Sequence, residues 1–124
     1  MNIDIALFFD KMPEMLTVYL LFEKTILQKY PGVKKKVQKT QISFSNKHGF
    51  LYVSLPYRKV KARPEYYMNI SFGLPFPIYS PRIAEVVEPY PNRWTHHVIV
   101  QIIDDINDEL LDWIDQSFRF SLEK

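Results

Sequence analysis

The sequence of 124 residues contains no cysteine and only three glycines. The absence of cysteine excludes a disulfide framework, a zinc site built on thiolates, a CxxC redox motif and a cysteine nucleophile. With so few glycines, the chain has little from which to build a phosphate-binding loop, and it lacks the GxSxG and HExxH motifs. The sequence therefore favours a binding protein over an enzyme, and it leaves open a serine, a histidine and a carboxylate that meet only in space.

Long apolar runs are also missing. No stretch approaches the roughly 18 uninterrupted apolar residues that indicate a membrane-spanning helix, and residues 1–10 lack the cationic start of a secretory signal. Hydrophobic residues make up 47% of the chain and charged residues 24%, which is typical of a globular protein. We therefore expect one soluble, cytoplasmic domain over residues 1–124, with no cofactor and no membrane partner.

The first third of the chain has helical spacing. A short helix is predicted to end near Lys11, and Pro13 suits the first turn of a second helix. In that second helix five large side chains recur at steps of three and four, the spacing of a buried stripe: Met15, Tyr19, Phe22, Ile26 and Tyr30. Pro31 and Gly32 end it.

The remainder of the chain favours strands followed by a last helix. Alternation predicts strands at residues 37–45, 50–55, 66–72 and 94–103, the first two forming a hairpin. Five of the nine prolines lie in residues 75–91, which we expect to be mainly loop, with one short helix at residues 80–87 that Ser80 caps and Pro81 begins. Asp104 or Asp105 is predicted to cap the final helix.

This order of elements predicts an α+β fold. It comprises two N-terminal helices, a four-stranded and mainly antiparallel sheet, and one C-terminal helix packed on the same sheet face. The other face of the sheet would then be at least partly open. The sequence does not decide whether residues 74–92 cover that open face as a lid or hang free.

Several of these segments resemble one known family. They are residues 39–44 (KTQISF), residues 93–98 (RWTHHV) and residues 108–111 (DELL), of which the Trp-Thr-His-His strand followed by the Asp-Glu-Leu-Leu helix is the most specific part. The chain resembles the bacterial domain-of-unknown-function family 5655 from about the second helix to Phe120. The resemblance implies a compact α+β module, found alone or attached to other domains, some of them nuclease-like, and it supplies no catalytic residues. A more distant likeness to frataxin-like iron chaperones rests on architecture alone.

Basic residues are concentrated in the middle of the chain. Eleven of the sixteen lie between Glu23 and Glu65, a stretch without a single acid. A one-sided basic patch can bind a phosphate backbone even when the net charge is only +2. The candidate contacts for nucleic acid or another polyanion are Lys34, Lys35, Lys36, Lys39, Arg58, Lys59, Lys61 and Arg63, and Tyr57, Tyr66 and Tyr67 could stack on bases. The alternatives are a solvated strand edge whose lysines discourage aggregation, a face that pairs with the protein's own acidic helix, and a surface for an acidic protein partner.

Two adjacent histidines mark a second candidate site. Because neighbouring residues on a strand point to opposite faces, His96 should face the helices and His97 the open face, so they cannot clamp one metal ion together. A small-molecule or metal site around His97 would use candidate residues Arg93, Trp94, His96, His97 and Tyr67. The alternative is a buried, hydrogen-bonded His96 and a solvent-facing His97.

The acidic C-terminal helix offers the weakest candidate site. Asp108, Asp112 and Asp115 share one face, but carboxylates on one helix rarely converge on an ion, so a solvated face is the simpler interpretation. A third class of function is an interaction surface for a fused or co-expressed protein, or for a second copy of this chain. The oligomeric state is not predicted.

Overall fold

Six strands in one antiparallel sheet and three α-helices make up residues 3–123, the part of the chain that the computed structural model describes. The helices are α1 (Ile3–Phe8), α2 (Leu16–Lys29) and α3 (Asp108–Leu122). The strands are β1 (Lys34–Val37), β2 (Ile42–Ser45), β3 (Gly49–Ser54), β4 (Met68–Leu74), β5 (Ile83–Tyr90) and β6 (Arg93–Val100). Their order in the sheet is β1-β2-β3-β4-β6-β5. The predicted α+β class is confirmed, with more strands than expected.

Helices α2 and α3 pack on the same face of this sheet. Phe44, Leu51 and Phe72 lie directly opposite one another on β2, β3 and β4, so their side chains share a face. Phe22 of α2 contacts Phe44 with ring centroids 6.5 Å apart, and Trp113 of α3 stacks on Phe72 at 6.1 Å. The core therefore lies between this sheet face and the two helices, as the sequence predicts.

The stripe predicted along the second helix is buried in full. All five of its side chains, Met15, Tyr19, Phe22, Ile26 and Tyr30, are at most 9% exposed. Tyr30, at the end of α2, stacks on Phe118 of α3 with centroids 4.4 Å apart, and its hydroxyl donates to Asp115 at 2.8 Å. These contacts hold the C-terminal ends of the two helices together.

The prediction of four strands is wrong because both edge strands were missed. Residues 37–45 do not form one strand: β1 and β2 pair as a hairpin around residues 38–41. The helix predicted at residues 80–87 is instead a turn followed by β5, which pairs with β6. The Ser80 carbonyl and hydroxyl oxygens accept from Ile83 N and Arg82 N in that turn. Pro89 is tolerated in β5 because an edge strand has one side without a ladder partner.

The cap of α3 also differs from the prediction. The residue that caps the helix is Asn107, whose side-chain oxygen accepts from Leu110 N at 3.1 Å. Asp105 instead accepts from the backbone N–H groups of Gln101 and Ile102, where the chain leaves β6. Asp105 therefore ends the strand and does not cap the helix.

Ser117 connects α3 to the two central strands. It is 1% exposed, and its hydroxyl donates to the Phe50 carbonyl at 2.8 Å and accepts from Gly73 N at 3.2 Å. Phe50 and Gly73 are the next positions after the last register pair of β3 and β4, Leu51 with Phe72. The serine hydroxyl thus bridges two strands at the point where their ladder opens.

None of the helices within residues 3–123 has the length and apolarity needed to cross a membrane.

Candidate anion-binding cleft

A cleft of about 970 Å³ lies at one end of the sheet. At this end β1 and β3 finish while β2 and β4 begin, so residues 38–40, 54–60 and 67–69 are brought side by side. Helix α1 closes another side with Asp4, Leu7 and Phe8. The cleft is therefore built from segments that are far apart in the sequence, and its size is within the range of known ligand pockets.

Four cationic side chains line this cleft. Lys11 follows α1, Lys39 lies between β1 and β2, and Arg58 and Arg63 belong to the segment between β3 and β4. None of the four is within salt-bridge distance of a carboxylate in residues 3–123. Since the lining includes only two acids, Asp4 and Glu85, the local charge favours an anionic ligand.

Tyr67 places a buried hydroxyl beside the cleft. Its side chain is 2% exposed and lines the cavity, and its hydroxyl finds no hydrogen-bond partner in the described part of the chain. A buried polar group without a partner is costly, and most such groups are satisfied by protein, water or ligand. Burial also means that Tyr67 cannot offer a face for base stacking, whereas Tyr57 is 88% exposed.

A polar row crosses the open face of the sheet next to the cleft. Ser71 of β4, His97 of β6 and Glu85 of β5 are consecutive partners in register, and a hydrogen bond of 2.7 Å joins Ser71 Oγ to His97 Nδ1. Burial lowers the pKa of His97 below its usual value; Arg63 acts in the same direction and Glu85 in the opposite one. His97 is thus favoured in its neutral form, paired with a serine hydroxyl.

His96 lies on the opposite face, as the alternation along the strand predicts. It is fully buried, stacks on Phe72 with centroids 5.1 Å apart, and accepts a hydrogen bond from Ile78 N through Nε2 at 2.9 Å. Burial lowers the pKa of His96 as well. This contact holds residue 78 against the helix side of the sheet. The segment after β4 therefore does not cover the open face. Strand β5 lies at the edge of the sheet.

The predicted phosphate contacts fall into two groups. Lys39, Arg58 and Arg63 line the cleft, and Lys34, Lys36, Lys59 and Lys61 are exposed. Lys35 stands apart: it pairs in register with Phe44, so it points to the helix side, and it forms a salt bridge with Glu23 at 3.1 Å. Of the first basic cluster only Lys39 reaches the cleft, where it meets Arg58 and Arg63 of the second cluster.

The residues predicted to form a ligand site around His97 do not converge. Arg93 and Trp94 are at the start of β6, where the Arg93 guanidinium lies 5.2 Å from the Phe120 ring centroid. Tyr67 precedes β4 and is therefore near the other end of β6, because Met68 pairs with Val100. His96 and His97 lie between these ends and on opposite faces. Only His97 belongs to the polar row on the open face.

Sequence reasoning missed several members of the cleft. Lys11 is the only basic residue among the first 23, and this isolated charge is the one sequence signal that points to it. Asn69 and Ser54 alternate with buried residues on their strands, which predicts their face but not the cavity beside them. No spacing in the sequence shows that α1 would close the cleft.

Two carboxylates on the acidic face of α3 have hydrogen-bond or salt-bridge partners. Asp112 accepts from Gln116, and Asp115 accepts from Tyr30 and pairs with Arg119. No group of three or more histidine or acidic residues within residues 3–123 is arranged to hold a metal ion.

One family model matches the chain. It is described as a domain of unknown function (DUF5655), and the match covers residues 6–121. No curated protein and no solved structure is significantly similar to the chain.

Proposed function

The chain belongs to the DUF5655 family of domains of unknown function, and we propose that it binds nucleic acid or another polyanion through the basic cleft.

One observation carries this proposal. Lys39 comes from the first basic cluster of the sequence, and Arg58 and Arg63 come from the second, yet all three line the same cleft. A lysine-rich edge that served only solubility would have no need to bring the two clusters together. Exposed Lys34, Lys36, Lys59 and Lys61 extend the positive potential beyond the cleft, which steers an anionic chain toward it.

The number of cations sets the expected dependence on salt. If each of the four cleft cations neutralises one phosphate of a single strand, the logarithm of the affinity falls with the logarithm of the salt concentration with a slope of about −2.8. The affinity should then drop about 50-fold between about 50 and 200 mM salt.

The test is a fluorescence-anisotropy titration of labelled DNA and RNA at several salt concentrations. In the variant Lys39→Gln/Arg58→Gln two cleft cations are lost, and the slope should fall to about −1.4. The matched control is Lys24→Gln/Lys47→Gln, which removes the same charge from exposed side chains outside the cleft, Lys47 being at the opposite end of the sheet. Equal effects of the two variants, or an affinity insensitive to salt, would contradict the proposal.

A second candidate function is binding of a small molecule on the open face around His97. The hydrogen bond between Ser71 and His97, with Glu85 opposite and Arg63 nearby, is the observation that favours it. For a small molecule identified by ligand screening, His97→Ala should abolish binding while Lys39→Gln/Arg58→Gln leaves it intact. Unchanged binding by His97→Ala would exclude this candidate.

A further inference from the structure

Part of the cleft is apolar, which binding to a phosphate backbone alone does not require. The apolar side chains in its lining are Leu7, Phe8, Val37, Leu55, Pro56 and Val60. Leu7 is 67% exposed and Val60 37% exposed, so water covers much of this wall in the free protein. A ligand that covered this wall with a flat apolar surface would gain affinity from the hydrophobic effect, whereas a bare anionic chain would not.

The edge of the cleft carries an aromatic platform. The Arg58 guanidinium lies 5.5 Å from the centroid of the Tyr57 ring, in a cation–π contact, and Tyr57 is 88% exposed. Both residues line the cleft. Exposed rings and guanidinium planes are the surfaces on which unpaired bases stack, and stacking tolerates any base.

Polar groups beside the apolar wall suit the edge of a base. Asn69 of β4 lines the cleft, and so do the polar side chains of Gln38, Thr40 and Ser54. An amide offers both donors and acceptors, which is what a base edge requires.

We propose that the cleft binds a nucleotide whose base is unpaired, with the base against the apolar wall and its phosphate at the cations on the rim. This inference rests on the proposed function and specifies its ligand. The nucleotide can be free or part of a single strand. A duplex keeps its bases paired and stacked inside, so it can contact only the cations.

The experiment compares two strands of equal charge, with and without bases, and adds anions of other kinds as competitors. A labelled single-stranded oligonucleotide is titrated with the full chain, and an abasic strand of the same length, a duplex, inorganic polyphosphate and a mononucleotide are used as competitors. The intact strand should bind at least about tenfold more tightly than the abasic strand and the duplex. Competition by the mononucleotide as strong as that by the strand would identify a free nucleotide as the ligand, and much weaker competition would identify the strand.

A pair of variants on α1 localises the effect. Leu7→Gln places a neutral polar group in the apolar wall, and the residue is exposed enough that folding should be unaffected, with a similar helix propensity. It should weaken binding of the intact strand and leave the abasic strand unchanged. Ile3→Gln is the matched control, since Ile3 is 74% exposed on the same helix but does not line the cleft.

The outcomes separate the two proposals. If the intact and abasic strands bind equally, the nucleotide site is overturned while polyanion binding stands. If neither strand nor polyphosphate binds at low salt, both proposals fail. Equal losses in Leu7→Gln and Ile3→Gln would also overturn the nucleotide site.

Discussion

The bridge formed by Ser117 leads to a sharp prediction for stability. In Ser117→Ala the Phe50 carbonyl and the Gly73 N–H both lose the hydroxyl that they share. A buried polar group left without a partner costs about 1–3 kcal/mol, and Phe50 is 1% exposed while Gly73 is only partly buried. We therefore expect the free energy of unfolding to fall by about 3 kcal/mol, which lowers Tm by about 12 °C in a domain of this size.

The assay is urea unfolding followed by tryptophan fluorescence, to which Trp113 on the same helix contributes. The matched control is Ser121→Ala, the same chemical change at a side chain that is also 1% exposed, because the Ser121 hydroxyl donates only to Phe118 O within the helix. The control substitution should lower the free energy of unfolding by less than about 1 kcal/mol. If Ser117→Ala lowers the free energy of unfolding no more than the control does, the backbone groups of Phe50 and Gly73 do not need the serine hydroxyl. That result would refute the reasoning.

Two further predictions concern pH and helix capping. Burial lowers the pKa of His96 and of His97, so below about pH 6.5 the unfolded chain takes up protons that the folded chain does not. The free energy of unfolding should therefore fall as the pH drops through this range, by at most about 1.4 kcal/mol per pH unit for each histidine. Urea midpoints measured between about pH 7.5 and 5.5 check this, and a flat profile would contradict it. Asn107→Ala removes the cap of α3 and the acceptor of an Arg82 hydrogen bond. It should lower the free energy of unfolding by about 1 kcal/mol in the same urea assay, and an unchanged urea midpoint would be the contrary result.

The sequence predicts the interior of this fold better than its edges. The stripe on α2 and the alternation on β4 and β6 follow from burial, which imposes a clear period on the residues. The edge strands carry little of that signal. β1 is mostly lysine and largely exposed, and β5 has a mixed pattern in which Ser80 and Pro81 imitate the start of a helix. Pairing with a neighbouring strand decides both cases, and single-sequence patterns do not contain that information.

The cleft could be predicted only in part for a different reason. Charge segregation indicates the basic clusters, because it is visible along the chain. The apolar wall is not visible in this way, since Leu7 reads as an ordinary helix residue and Val60 as part of a loop. Tyr67 is a candidate from the sequence as a stacking ring, but the sequence does not show that it is buried beside the cleft. Only the arrangement of segments at the end of the sheet brings these groups together.

The order of the strands has a consequence for how the chain folds. Every pairing in the sheet except that of β4 with β6 joins strands that are consecutive in the sequence, and even that pairing joins residues no more than 32 positions apart, Met68 and Val100. Sheets built from such local pairings close small loops at low entropic cost and belong to the topologies that form quickly. The contact between Tyr30 and Asp115 spans 85 positions and closes only when both helices are in place. Docking of α2 against α3 therefore closes a longer loop than any of the strand pairings does.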